Sequence, residues 1–216
     1  LWGSWARERS VARRPLEHGI REIRSKRGSS SHYHNPFVAL CDHDAGEEHG
    51  DAYGFGFVYS GNFSCEVEVD AYSTTRLIMG LESTDFNWKL DAGETFYAPE
   101  VVMVYSDAGL GKMSRTFHKL YRNNLCRGKY KLAKRPLLIN NWEGTYFGFT
   151  REKLIEIARE ASKLGIEMFV LDDGWFGIRN DGTTSLGDWF VNEEKLPGGM
   201  KVLADEINAL GMKFGL

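Results

Sequence analysis

The stretch Phe169-Val170-Leu171-Asp172-Asp173-Gly174-Trp175 constrains this chain more than any other. A continuous apolar run stops abruptly at two carboxylates, a glycine and an indole. Such a run reads as a strand buried on both faces, as in a parallel sheet. A strand of that kind cannot keep paired acids in its interior, because unpaired buried charge is too costly. Asp172 and Asp173 are therefore expected where the strand emerges, at its carboxyl end, which is where parallel α/β folds bind ligands. Two carboxylates beside an aromatic plate suit a sugar: the acids accept from hydroxyls and the indole covers the apolar face of the ring.

The rest of the chain falls into two patterns. Residues 1–110 read as β structure, with short apolar or alternating runs at Gly19–Arg24, Pro36–Cys41, Ala52–Tyr59, Ser64–Asp70, Thr75–Leu81, Glu94–Phe96 and Val101–Ser106. Many short strands between turn residues predict an antiparallel β-sandwich domain. Between residues 111 and 134 the period changes. Met113, Phe117, Leu120 and Tyr121 share one helical face, which predicts a connecting helix and a polar junction. From Arg135 the pattern is β-α-β-α-β. The strands are Pro136–Asn140, Phe169–Leu171 and Met212–Leu216. One helix is capped by Thr150 and stopped by Gly165; the other carries Met200, Leu203, Ile207 and Leu210 and stops at Gly211. Two β-α-β units in succession predict a parallel sheet, open or closed into a barrel.

Composition excludes more than it assigns. A net charge of -3 gives no support to nucleic acid or an anionic membrane as partner. No stretch approaches 18 apolar residues, so no membrane span is expected. Cys41, Cys65 and Cys126 are widely spaced with no C-x-x-C, which points to reduced thiols and a cytoplasmic protein. The chain opens at Leu1 and closes at Leu216 in mid-pattern, and it reads as a fragment cut at both ends, which leaves secretion open.

The candidate site residues are Trp142, Asp172, Asp173 and Trp175, all at predicted strand ends. Trp142 is an aromatic wall or a core residue closing its strand. Adjacent carboxylates repel unless a ligand, a cation or a set of donors satisfies them. Neighbours on an extended backbone point to opposite sides, so the pair cannot easily flank one scissile bond, and a fork that holds two sugar hydroxyls is favoured. Paired acids also bind Mg²⁺, which is the competing use. No histidine follows His118, so a zinc or iron site in this half is not expected. In the long loop 174–197, Arg179, Asp181, Asp188 and Trp189 stand out, and Trp189 either shapes a pocket or anchors the loop. The polar, aromatic turn Gly28–Phe37 faces a pocket, a partner subunit or only solvent.

Taken in order, Arg27-Gly28-Ser29-Ser30-Ser31-His32 with Asn35-Pro36-Phe37, Tyr59-Ser60-Gly61-Asn62-Phe63, Pro136 to Glu143, Leu171 to Gly177 and Leu186-Gly187-Asp188-Trp189 resemble glycoside hydrolase family 36, the α-galactosidases acting on raffinose and melibiose. The resemblance implies an N-terminal antiparallel β-sandwich followed by the first strands and helices of a (β/α)₈ TIM barrel, here truncated. It implies retaining hydrolysis of terminal α-galactosides, with α-galactoside oligosaccharides as substrate, a homo-oligomer (dimer or tetramer) at full length, and no metal or other cofactor. The family's galactose-binding tryptophan falls on Trp142 and its paired acids on Asp172 and Asp173. Its nucleophile lies in a Lys-Trp-Asp segment after the fourth barrel strand and its acid/base later still. Neither segment occurs in these residues. Two readings from other classes stand beside this one. A non-catalytic carbohydrate-binding module is disfavoured by the apolar edges an unfinished parallel sheet leaves. A Mg²⁺-dependent phosphotransferase using Asp172 and Asp173 is disfavoured by the lack of a G-x-x-x-x-G-K loop.

Overall fold

A computed structural model describes residues 3–4, 6–30 and 33–216. Ser31 and His32, part of the polar turn singled out above, lie outside the described residues. The chain divides into two compact units, residues 1–131 and residues 132–216.

The first unit holds six strands: β1 (Gly19–Ser25), β2 (Phe37–Cys41), β3 (Ala52–Phe57), β4 (Phe63–Val69), β5 (Thr75–Leu81) and β6 (Val101–Ser106). They form two antiparallel sheets, ordered β1-β4-β5 and β2-β3-β6. The alternation of β4 does what its sequence requires. Cys65 and Val67 turn inward and pack with Val38 of the other sheet, while Glu66 stays exposed. Burial pushes the Cys65 thiol up to about 11, and all three cysteines are free. The other face of β2-β3-β6 is covered by α1 (Gly109–Leu120), whose Met113 and Phe117 bury against Ala52 and Val104. The helix expected as a connector therefore lies on the sheet as a third layer. Its close approach depends on Gly54: a Cβ there would stand 2.6 Å from the Phe117 ring and 2.7 Å from the Met113 sulfur.

The expected strand Glu94–Phe96 does not form. The Glu94 N–H bonds back to Asp91 in a tight turn, and Phe96 packs against Trp88 and Phe86 instead of joining a ladder. Side-chain clustering there replaces strand pairing. Of the polar turn, the described residues rest on the turn at 60–62: the Gly28 N–H donates to Asn62 Oδ1 at 2.8 Å and the Ser30 N–H to the Ser60 carbonyl at 2.8 Å.

The second unit is a parallel sheet in the order β7 (Leu138–Asn140), β8 (Met168–Val170), β9 (Lys213–Gly215). Ile139, Phe169 and Phe214 are in register, so all three strands end level, at Asn140, Val170 and Gly215. After β7 comes a single turn, α2 (Trp142–Thr145). The crossovers are α3 (Arg151–Lys163) and α4 (Gly199–Ala209). Thr150 Oγ1 accepts from the Lys153 N–H at 3.4 Å as N-cap of α3, and Gly165 and Gly211 take the left-handed conformation that ends each helix. Both helices lie on one face of the sheet. Leu154, Ala158 and Ala161 of α3 and Leu203 and Ile207 of α4 form one core with Phe169 and Leu171. The expectation that β8 is buried on both faces is corrected here. Phe169 is fully buried, but Met168 and Val170 on the opposite face are only half-buried and Leu138 beside them is exposed. Two right-handed crossovers in the same direction put both helices on the same side, and among the described residues no layer covers the other. No helix among the described residues is long and apolar enough to cross a membrane.

Candidate functional site

Because the three strands end level, the residues that follow them meet at one rim. Asn141 is buried beneath that rim. Its Oδ1 accepts from the Asp172 N–H at 2.8 Å, and its Nδ2 donates to Thr145 Oγ1 at 2.8 Å. Asn140 Nδ2 donates to Asp172 Oδ2 at 2.6 Å, and Asn140 Oδ1 accepts from the Trp142 N–H at 2.7 Å. The Asp173 N–H donates to Asp172 Oδ1 at 2.7 Å. These bonds hold the Asp172 carboxylate in one orientation and tie it to the start of α2.

The two adjacent acids have different environments. Asp173 forms a bidentate pair with Arg179: Nε reaches Oδ1 and Nη2 reaches Oδ2, both at 2.7 Å. Arg179 is only 7% exposed at its side chain and Asp173 28%. The Arg179 guanidinium beside Asp173 holds its carboxyl below the ordinary 3.8, against the opposing effect of burial. Arg179 Nη1 also donates to the Thr184 carbonyl at 2.8 Å, so the pair anchors the 174–197 loop to the strand end. Asp181 shapes that loop from inside, accepting from the Thr183 N–H at 2.7 Å. Asn192, also buried, bonds Gly177 O through Nδ2 and receives the Glu194 and Lys195 N–H groups at its Oδ1.

A cleft of about 500 Å³ opens at this rim, lined by Asp172, Asp173, Trp175, Arg179, Leu186 and Trp189 among others. Trp175 meets Phe176 edge-on at 5.1 Å and Trp189 at 6.3 Å, and Trp189 is 70% exposed. The structure thus brings Asp172, Asp173 and Trp175 together. Trp142 does not line this cleft. It packs edge-on against Phe147 at 4.9 Å and Tyr146 at 5.2 Å and reaches Asp172 only through Asn140. Tyr146 carries a positive φ of 46°, a conformation most side chains avoid, and its hydroxyl donates to Glu143 at 2.9 Å. A second hollow of about 460 Å³ lies at the opposite ends of the strands, lined by Lys134, Glu167 and Lys213 among others. It lacks the aromatic plates, and its carboxylate, Glu167, is taken up by the Leu137 N–H at 2.8 Å and by Lys134. Among the described residues no group of three or more His, Cys, Asp or Glu is placed to hold a metal ion.

The fold and the rim place the chain among known proteins. The glycosyl hydrolase family 36 N-terminal domain model matches residues 1–91 and the melibiase model residues 95–216. The chain belongs to glycoside hydrolase family 36. Family 36 relatives match it along its whole length. Alpha-galactosidase AgaA of Geobacillus stearothermophilus is 56% identical over 216 residues, and alpha-galactosidase Mel36A of Lactobacillus acidophilus is 51% identical. The crystal structure of AgaA superposes with a TM-score of 0.95, covering 100% of this chain and 30% of that one. Crystal structures of AgaA variants in complex with raffinose and with stachyose also match. The chain spans about 30% of the length of these family 36 relatives.

Sequence reasoning placed Asn140 and Asn141 at a strand end without giving them a role, missed Lys195, and saw Arg179 only as loop charge. Two adjacent asparagines after an apolar strand were a usable signal, since a buried strand end needs side-chain partners for its backbone groups. One consequence is testable by pH. A carboxyl depressed in the folded state contributes stability that is present above its unfolded value and lost as pH falls through its folded value. The stability gap between wild type and Asp173→Asn is therefore expected to be full at pH 7 and to shrink once pH falls below about 4. Urea midpoints at a series of pH values measure it, and a gap that stays constant from neutral pH to pH 3 would remove the ion pair as its source.

Proposed function

We propose that these residues are part of an α-galactosidase that releases terminal α-galactosyl groups from oligosaccharides with retention of configuration. The observation that carries this reading is the oriented carboxylate of Asp172 at the end of the central strand, beside Asp173 in a cleft that Trp175 and Trp189 also line. That arrangement offers a sugar acceptors for its hydroxyls and a flat apolar surface for its ring. The names of relatives 51–56% identical over every residue of the chain support the same substrate class. Trp142, Asp172, Asp173 and Trp175 are read as substrate-binding groups. No Lys-Trp-Asp segment occurs in the sequence, so the attacking carboxylate and the acid/base are assigned to residues outside these 216.

We also read the second unit as the opening strands of a (β/α)₈ barrel. The support is the placement of α3 and α4 on one face. A barrel keeps every helix outside and packs its interior with the opposite face, and the family membership of the chain favours that closure. Leu138, Met168 and Val170 are the side chains that such an interior would take up.

Retention requires a covalent glycosyl-enzyme and two closely spaced carboxyl groups. Full-length enzyme acting on an aryl α-galactoside is expected to release α-galactose first, seen by proton NMR before mutarotation. β-Galactose as the initial product would overturn the retaining assignment.

A further inference from the structure

Lys195 stands in the last turn of the long loop, four residues before α4. Its backbone N–H is held by Asn192 Oδ1 at 3.0 Å, and its side chain bends inward. An ammonium has three N–H donors and no acceptor. All three are used on main-chain carbonyls, those of Phe147, Gly174 and Arg179, each at 3.0 Å. No carboxylate lies within ion-pair distance among the described residues. A lysine that merely covered apolar surface would keep its head in water. This one is half-buried and turns its head to backbone, with the Phe149 ring 5.1 Å from the ammonium, and partial burial pulls its pKa down.

The three carbonyls come from two stretches of chain: Phe147 follows α2, while Gly174 and Arg179 belong to the first part of the loop whose far end carries Lys195. Each of the three residues adjoins a group read above as substrate-binding. Phe147 supports Trp142 edge-on at 4.9 Å. Gly174 follows Asp173 directly, with a positive φ of 98°, and a Cβ there would stand 3.0 Å from the Phe147 ring. Arg179 holds both oxygens of Asp173.

On the α-galactosidase reading, on which this inference rests, we infer that Lys195 is a positioning residue that holds the aromatic wall at Trp142 and the acid pair at Asp172 and Asp173 in one register. It touches no substrate. Its protons are all engaged and it does not line the cleft, so it takes no part in proton transfer. What it sets is the spacing between two groups that must close on the same galactose.

The test is kinetic, on full-length enzyme with an aryl α-galactoside. Lys195→Met keeps the length of the side chain and removes every donor. Misplacing groups that must close together on one substrate is expected to raise KM, and the inhibition constant of free galactose, on the order of 10-fold, with kcat changed by no more than about threefold. A stability role alone would lower the melting temperature and leave both constants where they were. Unchanged KM and galactose inhibition in a folded Lys195→Met enzyme would therefore overturn the inference. So would a large fall in kcat at constant KM, which would put Lys195 in the chemistry. If the Met variant does not fold, Lys195→Gln, which keeps two of the donors, is expected to show a smaller rise in KM, and an unchanged KM there would also overturn it. Wild-type enzyme that turns over no α-galactoside would remove the functional reading itself and the inference with it.

Discussion

Phe169→Ala in the full-length enzyme is expected to destabilise this domain by about 3–5 kcal/mol, the usual cost of emptying a buried phenylalanine site. Phe169 is fully buried at the centre of β8, in register with Ile139 and Phe214, and packs against both crossover helices. The site cannot collapse easily. Leu154 and Leu203 approach from rigid helices and the sheet fixes the backbone, so most of the cavity persists. For a domain of 150–250 residues the melting temperature should fall by roughly 6–20 °C. Val170→Ala, one residue along on the half-buried face, separates two accounts of that face. A loss of less than 1 kcal/mol fits a surface the rest of the enzyme leaves open. A loss of about 2 kcal/mol or more fits a barrel interior. Calorimetry of both variants decides, and a Phe169→Ala enzyme as stable as wild type would mean that the core described here does not hold the domain together.

The second large effect separates the two acids. In Asp172→Asn, the amide nitrogen must face either Asn140 Nδ2 or the Asp173 N–H, both of them donors, so one bond at the rim becomes a clash of like groups. The substitution also removes the charge-assisted bond to a sugar hydroxyl that the proposed function assigns to this carboxylate. Together these are expected to cost about 1.5–3 kcal/mol of galactose binding, roughly 10- to 150-fold. Asp173→Asn acts differently. An amide cannot accept from both Nε and Nη2 of Arg179, which is left nearly buried with its charge half-answered. Because Asp173 is partly exposed, the stability loss should be roughly 2–3 kcal/mol, below that of a fully buried pair. Its galactose affinity falls as well, through release of the loop. On the proposed assignment of the nucleophile to residues outside these 216, neither variant should be rescued by external azide. Kinetics on an activated aryl α-galactoside with and without azide test this. A galactosyl azide product from either variant would make that residue the nucleophile.

How much of this was legible before folding varies by element. The alternation of Cys65, Val67 and Val69 between acids, the stripe of Leu154, Ala158 and Ala161 and the paired stops at Gly165 and Gly211 are local patterns, and the elements they predict are present. Glu94–Phe96 shows the limit of such patterns. Its residues favour a strand, but no neighbouring edge is offered to it, and pairing is never a property of one segment. The two-faced burial expected of β8 is met on one face within these 216 residues: an apolar run records what the whole fold covers, and no layer over Met168 and Val170 is among the described residues.

The site divides along the same line. That Asp172 and Asp173 stand at a strand end followed from the chain alone, because charge cannot remain inside a buried strand. That one acid would be fixed by Asn140 with its charge left to the cleft, while its neighbour would be locked by Arg179, could not follow from it. Nor could the convergence of one ammonium on three carbonyls at residues 147, 174 and 179. Hydrophobic period and helix stops are written into contiguous residues, because each depends on the solvation and dihedral preference of a few neighbours. The partners of a charged group lie elsewhere in the chain: the register of β7 and β8 brings Asn140 and Asn141 to Asp172, and the fold of the 174–197 loop brings Arg179 to Asp173 and Lys195 to its carbonyls.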